Sequence, residues 1–294
     1  HGFKVSIFDA QAKVLHSVPD RIHKNMEVFL KLGKVKKSEI DECIGNIDLC
    51  DKLASVCKDV DFIIEAIEEN LSAKLKVFEE LEQNIDSNVI ISSNTSAISI
   101  TRLSEGLKQR HRFLGTHFWN PPHIIPCVEV IRGENTADTV FETVFNLMRA
   151  VGKEPVKVLK DIPGFLGNRL QHAMWREAIS LAEKGIASPE DIDKVVKYGF
   201  GLRLPFIGPL ETADLAGLDL SYDIHKYLFP FLENSSEPSQ KLKKLVDEGL
   251  LGVKTGRGFY DWPQEKTTSV ISKRDQLLLK IINMFLSQDS TPDR

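Results

Sequence analysis

The alternation of short apolar runs with amphipathic segments over the first 160 residues constrains the fold more than any other feature of this sequence. The run 60–67 is almost continuously apolar, as in a parallel strand buried on both faces, and the segment 71–81 has the apolar spacing of a helix. The pattern predicts strands at 3–8, 60–67, 89–92, 113–118, 127–131 and 155–159, and helices at 12–32, 71–81, 100–107 and 137–151. This alternation favours a parallel α/β sheet with right-handed crossovers.

The second part of the chain has a different texture. Pro163 and Gly164 interrupt the pattern, 165–184 has the spacing of one long helix, and no comparable strand-like run follows. A chain of 294 residues is long for one domain and comfortable for two. We therefore predict an α/β domain at 1–160 and an all-helical domain at 161–294.

The start of the sequence shows an incomplete dinucleotide-binding unit of the Rossmann type. The run 3–8 ends at Asp9 and leads into a helix, as the second strand of such a unit does. In the doubly wound strand order 3-2-1-4-5-6 the first strand is central, and neither that strand nor a G-x-G-x-x-G turn precedes the run. We expect the opening βα segment to be absent from the sequence shown, and the sheet to be split between 3–8 and 60–67.

Composition narrows the class of partner. A formal net charge of -4 argues against a nucleic-acid binder, the apolar runs are too short to span a bilayer, and no signal-peptide pattern opens the sequence. We interpret the chain as a cytoplasmic protein with a small-molecule partner and neither a nucleic-acid nor a membrane partner. Cys43, Cys50, Cys57 and Cys127 form no C-x-x-C pair and have no histidine at ligand spacing, which favours reduced thiols and no metal site.

Polar side chains follow two of the predicted strands, where open α/β sheets bind ligands. Asp9 is placed to bind the adenosine ribose hydroxyls and, because a carboxylate repels a 2′-phosphate, favours NAD over NADP; the alternative is a turn or helix-capping aspartate. The small polar run 92–96 directly follows the strand at 89–92, and its alternative is an N-cap cluster for the next helix. Both readings stay open from the sequence.

His117 and Glu129 are the strongest candidates for chemistry. His117 ends an apolar strand, and Glu129 lies twelve residues on between Val128 and Val130. Taken alone, His117 could be a structural residue, and Glu129 could lie on the exposed face of an edge strand. A buried acid needs a partner, however, and an antiparallel hairpin brings the two side by side. The pair predicts a general base whose tautomer and charged form are stabilised by the carboxylate.

Several motifs together resemble the 3-hydroxyacyl-CoA dehydrogenase family. They are Ser-Asn-Thr-Ser at 93–96, His-Phe-Trp-Asn-Pro-Pro at 117–122, Val-Glu-Val-Ile at 128–131, and Pro-Gly-Phe at 163–165 with Asn-Arg-Leu at 168–170. The segments 201–210 and 254–260 look like the helical domain of that family. The resemblance implies an NAD-dependent dehydrogenase that oxidises the 3-hydroxyl of a 3-hydroxyacyl-CoA, such as 3-hydroxybutyryl-CoA, in fatty acid metabolism.

The same resemblance implies roles for particular residues. His117 and Glu129 are the catalytic pair, with Ser96 and Asn168 orienting the substrate. The cofactor is surrounded by Asp9, Glu69, Lys74, Ser96 and Asn120, although a glutamate and a lysine are also common at the start of a helix. The helical domain is implied to bind substrate and to form a homodimer, and the apolar stripe along 165–184 is wide for one small domain to cover.

The sequence also departs from the family. The glycine turn is not in the chain, and the helical segment 21–40 is short for the hairpin that contacts CoA. Lysines at 31, 34, 36 and 37 either meet CoA phosphates or form a solvated face. The segments 168–171 and 207–212 also resemble the L-gulonate 3-dehydrogenase and λ-crystallin branch. The alternatives are therefore a dehydrogenase of a free hydroxy acid and a crystallin-like NAD-binding protein with little turnover. The four intact catalytic positions argue against the last.

Overall fold

A computed structural model describes residues 1–31 and 33–288, and it divides into two compact units, His1–Asn168 and Arg169–Arg294. Its strands are β1 (Val5–Ile7), β2 (Ile47–Leu49), β3 (Phe62–Glu65), β4 (Ile90–Ser93), β5 (Phe113–Phe118), β6 (Cys127–Ile131) and β7 (Glu154–Val158). Its α-helices are α1 (Ala12–His16), α2 (Val18–Lys31), α3 (Lys37–Gly45), α4 (Leu53–Val56), α5 (Leu71–Asn84), α6 (Ile100–Ser104), α7 (Asp138–Ala150), α8 (Gly167–Glu183), α9 (Pro189–Tyr198), α10 (Pro209–Ala216), α11 (Leu218–Leu228), α12 (Gln240–Asp247) and α13 (Gln264–Gln288).

The larger sheet has the strand order β3-β4-β5-β6-β7. Its pairs are parallel except β5 with β6, which is antiparallel. The predicted α/β architecture is confirmed. The one antiparallel pair arises because the connection 119–126 is too short for a crossover, which takes a dozen or more residues.

Strands β1 and β2 pair in parallel and form a separate two-stranded sheet. The division of the sheet therefore lies where the sequence predicts it, between β1 and β3. Apolar side chains remain exposed on both of these strands, Val5 at 43% and Ile64 at 44%. Strand β2 was not predicted, because three residues are too few to show an alternating pattern.

Helices cover both faces of the larger sheet. Since successive residues of a strand point to opposite faces, Phe113 and Leu114 of β5 enter different clusters of the core. The cluster around Phe113 joins side chains of α5 and α6, namely Phe78, Leu81, Ile100 and Leu103. The cluster around Leu114 joins side chains of α7, namely Phe141, Val144 and Met148. This burial on both faces fixes the register of the strands that carry polar residues.

The prediction of a single helix at 12–32 is wrong, because the helix is interrupted at Ser17, between α1 and α2. Pro19 is the second residue of α2, where its missing N–H is tolerated, and a proline disfavours helical conformation in the residue before it. The hydroxyl of Ser17 donates to the carbonyl of Val14 and closes the first helix. Position 32 lies outside the described residues.

The second unit is helical, as predicted. Between residues 169 and 288 the structure contains helices and isolated β-bridges that join Gly252, Arg257 and Asp261. It contains no β-strand in that range. The sequence places the change of texture at residue 161, and residues 161–168 lie in the first compact unit. Over the described ranges, none of the helices combines the length and the apolar character needed to cross a membrane.

Candidate active site

The two strands of the antiparallel pair bring His117 and Glu129 together. Their Cα atoms are direct partners in the register of β5 and β6, so both side chains stand on the same face of the sheet. His117 Nδ1 and Glu129 Oε2 are 2.8 Å apart, and the two residues are 5% and 2% exposed. The structure thus places the candidate base and its carboxylate in direct contact.

The second carboxylate oxygen of Glu129 is bound by the start of α8. Oε1 accepts hydrogen bonds from the backbone N–H groups of Leu166 at 2.9 Å and Gly167 at 3.0 Å. These groups belong to the free N–H donors at a helix N-terminus, which favours negative charge. The turn that aims them contains left-handed backbone at Gly164 (φ 77°) and Phe165 (φ 50°), and the fully buried ring of Phe165 offsets the conformational cost there.

These contacts hold Glu129 in its ionised form. Burial acts to raise the pKa of Glu129, but the hydrogen bonds from His117, Gly167 and Leu166 and the attraction to His117 outweigh it, so the pKa lies below its usual range. An ionised carboxylate only accepts hydrogen bonds, so Nδ1 of His117 carries the proton. In the neutral ring Nε2 then has a free lone pair, and no described residue binds it.

Two aromatic rings contact the imidazole of His117. Trp119 meets His117 edge-on, with ring centroids 5.2 Å apart, and Phe165 lies at 5.9 Å. These ring contacts limit rotation of the imidazole, whose terminal torsion is otherwise broad.

Ser96 and Asn168 are joined to each other beside the histidine strand. Asn168 Nδ2 donates to the backbone oxygen of Ser96 at 2.7 Å, and the Ser96 side chain is exposed. Asn94, two residues earlier, accepts from the backbone N–H of Phe118 at 2.9 Å. The loop after β4 is therefore tied to the end of β5, and the four predicted catalytic residues lie in one connected region of the first unit.

Glu69 holds this same loop. Its Oε1 accepts a hydrogen bond from the Thr95 hydroxyl. The same oxygen accepts from the backbone N–H groups of Ser96 and Ala97, both at 3.0 Å. Burial acts to raise the pKa of Glu69, but hydrogen bonds from Thr95, Ala97 and Ser96 and the charge of Lys74 bring it below its usual range. Glu69 is thus bound from one side by the protein while its side chain stays 40% exposed.

Lys74 forms a buried ion pair with Glu65, which was not predicted from the sequence. Its ammonium donates to Glu65 at 2.7 Å and to the carbonyl of Ile67 at 3.2 Å, and it lies 3.5 Å from Glu69. Ser93 donates to the other oxygen of Glu65 at 2.6 Å. The position of Glu65 inside the apolar run 60–67 could have predicted this ion pair, because a buried charge needs a partner. A direct contact of Lys74 with a ligand requires its ammonium to leave these protein partners.

Asp9 and Asn120 complete the predicted set. Asp9 follows β1, and its Oδ1 accepts from the N–H of Gln11 at 2.8 Å, so a turn role exists already. Asn120 follows β5 and is exposed. Asp9, Glu69, Ser96 and Asn120 therefore all lie beyond the carboxyl ends of parallel strands, the place where open α/β sheets bind dinucleotides. This set of acceptors and hydroxyls fits a nicotinamide dinucleotide.

Cys127 stands two residues before Glu129, but its thiol does not suit nucleophilic chemistry. Burial raises the pKa of Cys127, and the nearby charges of Glu129 and Glu154 raise it further. The reactive form of a cysteine is the thiolate, which this environment disfavours.

Two family models match nearly the whole chain. The NAD binding domain of 3-hydroxyacyl-CoA dehydrogenase matches residues 1–162, and the C-terminal domain of 3-hydroxyacyl-CoA dehydrogenase matches residues 164–262.

Individual relatives differ in the substrates that their names state. A 5-formyl-3-hydroxy-2-methylpyridine 4-carboxylate 5-dehydrogenase of Mesorhizobium japonicum is 35% identical over 81% of this chain and 77% of its own. A probable 3-hydroxybutyryl-CoA dehydrogenase of Bacillus subtilis is 36% identical over 91% of both chains. The λ-crystallin of Oryctolagus cuniculus is 38% identical over 73% of this chain and 67% of its own. A solved structure of the pyridine-carboxylic acid 5-dehydrogenase, an NAD+-dependent dismutase, superposes with a TM-score of 0.88 at 31% identity, covering 95% of this chain and 89% of that one.

Proposed function

Since this chain belongs to the 3-hydroxyacyl-CoA dehydrogenase family of NAD-dependent oxidoreductases, we propose that it oxidises the 3-hydroxyl of a 3-hydroxyacyl-CoA, such as 3-hydroxybutyryl-CoA, to the 3-keto form. The observation that carries this proposal is the buried contact of His117 Nδ1 with Glu129, which leaves Nε2 free to accept a proton. The match to a probable 3-hydroxybutyryl-CoA dehydrogenase over 91% of both chains supports the substrate class.

In the proposed reaction His117 Nε2 takes the proton of the 3-hydroxyl while C3 gives up its hydride, so that the C–O single bond becomes a carbonyl. NAD supplies the hydride acceptor. Glu129 stabilises the imidazolium that forms, and its own low pKa keeps it from taking the proton. Ser96 and Asn168, joined to each other, hold the reacting oxygen near Nε2. In the reverse direction the protonated histidine returns the proton.

We assign the cofactor contacts to residues at the strand ends. Asp9 binds the adenosine ribose hydroxyls through the carboxylate oxygen that does not bond to Gln11. Glu69, Ser96 and Asn120 surround the nicotinamide and its ribose. Lys74, whose ammonium bonds to Glu65 and Ile67, supports this region through Glu69.

A free acid is the second candidate substrate. The observation that favours it is the TM-score of 0.88 with an enzyme that acts on a pyridine carboxylic acid. For a free hydroxy acid the proposed chemistry at His117 is the same as for a CoA ester, since only the group that carries the hydroxyl differs. A crystallin-like protein with little turnover is the third reading, and λ-crystallin is among the relatives.

The rate of NADH formation with a panel of substrates distinguishes these three hypotheses. We expect 3-hydroxybutyryl-CoA to be oxidised with a kcat/KM at least about tenfold above free 3-hydroxybutyrate and L-gulonate, a difference of roughly 1.4 kcal/mol. A preference for a free acid contradicts the CoA assignment and leaves the dehydrogenase chemistry in place. Absence of NADH formation with every substrate contradicts the dehydrogenase proposal itself.

We also propose a homodimer formed through the helical unit. Helices α9, α10 and α11 expose large apolar side chains, including Tyr198, Leu210 and Leu215 at 78%, 82% and 76%. Exposed apolar surface of this extent is unusual for a monomer and marks an interface. The occupant we infer is a second copy of the same chain.

Light scattering at micromolar concentration is expected to give twice the mass of one chain. The charged substitution Leu210→Asp is expected to shift the protein toward monomer, because it buries an unpaired charge in the interface. The matched change Leu159→Asp, at an exposed leucine of the first unit, is expected to leave the dimer intact. A wild-type monomer rules out this proposal.

A further inference from the structure

The indole of Trp119 rests directly on the backbone of Gly167. A Cβ built on Gly167 would overlap Cζ2 of Trp119 and would lie 2.9 Å from Cη2, closer than real Cβ atoms approach other atoms. The φ angle of Gly167 is not in the left-handed region, so its backbone does not require glycine. Glycine is required here because the ring occupies the space of a side chain.

Gly167 and Trp119 close a ring of contacts around the base. The N–H of Gly167 donates to Glu129, Glu129 binds Nδ1 of His117, and the ring of His117 meets Trp119 edge-on. Trp119 in turn rests on Gly167. Any shift of the indole therefore moves either the imidazole or the N–H that holds its carboxylate.

We propose that Trp119 is a positioning residue for His117 and that residue 167 is glycine in order to seat it. This inference rests on the proposed function, because it concerns the base of that reaction. The hydrogen bond to Glu129 fixes one atom of the imidazole, and the packed indole fixes the plane of the ring. Together they aim Nε2 at one point. A displacement of about 1 Å in such a group costs on the order of 10²-fold in rate.

A double-mutant cycle tests the contact. Gly167→Ala forces the indole away, and Trp119→Leu removes the ring atoms that the new Cβ meets. We expect each change alone to lower kcat by at least about tenfold, with KM for substrate and cofactor changing much less, because neither residue is among those assigned to bind them. In the Trp119→Leu background, Gly167→Ala is expected to cause little further loss. The control is Gly106→Ala, a glycine with open space around its Cβ position.

Two kinetic results overturn the proposal. Equal losses from Gly167→Ala in both backgrounds mean that the glycine does not act through Trp119. An effect of Trp119→Leu on KM with kcat unchanged means that Trp119 binds substrate and does not position the base.

A second measurement does not depend on turnover. The proton on Nδ1 of His117, shared with a carboxylate in a buried charge-assisted bond, gives a proton resonance far downfield, which His117→Gln identifies by its loss. We expect Trp119→Leu and Gly167→Ala to broaden or shift this signal and Gly106→Ala to leave it unchanged. An unchanged signal in the first two variants refutes the positioning role. If the wild-type protein oxidises no substrate, the proposed function fails and this resonance still decides the role of Trp119.

Discussion

His117→Gln is expected to lower turnover by about two to four orders of magnitude, the usual contribution of a general base. The amide keeps part of the hydrogen-bonding shape but does not accept a proton at neutral pH. The affinity for NADH is expected to stay near that of the wild type, because residues other than His117 make the proposed cofactor contacts. Steady-state kinetics measures the first effect, and titration of NADH fluorescence measures the second.

The matched variant is Glu129→Gln, which keeps the imidazole and removes the carboxylate that accepts from Nδ1. We expect a smaller loss at high pH and a pH–rate profile shifted to lower pH, because the charge that favours the imidazolium is gone. Thermal melting shows whether either variant is folded. A folded His117→Gln protein that retains more than about a tenth of wild-type turnover lies outside the range for a general base and would mean that another group takes the proton.

Lys74→Met is expected to destabilise the first unit by about 3–5 kcal/mol, because it leaves the carboxylate of Glu65 buried without its cation. The side chains of Lys74 and Glu65 are each 1% exposed, so bulk water does not solvate the carboxylate in place of the ammonium. Ser93 still donates to Glu65 but supplies no charge. Urea unfolding measures the change in the free energy of unfolding.

Two further variants show whether the pair is responsible. Lys243→Met removes the cation of an exposed ion pair with Asp247 on α12, and such pairs contribute at most about 1 kcal/mol. The double change Glu65→Gln with Lys74→Met is expected to recover much of the stability, because the carboxylate that also loses Lys74 is that of Glu69, which is 40% exposed, and no fully buried charge is left unpaired. A loss from Lys74→Met no larger than that from Lys243→Met contradicts this account of the buried pair.

The sequence is sufficient for the features that depend on local period. The strands at 113–118 and 127–131 are read from their apolar runs, and the antiparallel contact of His117 with Glu129 follows from a short connection and a buried acid that needs a partner. Glu65 was within reach of the same argument, since it lies in an equally apolar run.

Only the tertiary structure decided what holds the pair in place. The donors to Glu129 come from Leu166 and Gly167, 37 and 38 positions along the chain, at the end of a turn whose direction no local pattern specifies. The need for glycine at 167 cannot be predicted from the sequence, because its φ angle is outside the left-handed region and the constraint is the ring of Trp119, which follows the distant strand β5. Periodicity reports which side of an element is buried, whereas the atoms that meet there are set by how distant elements pack.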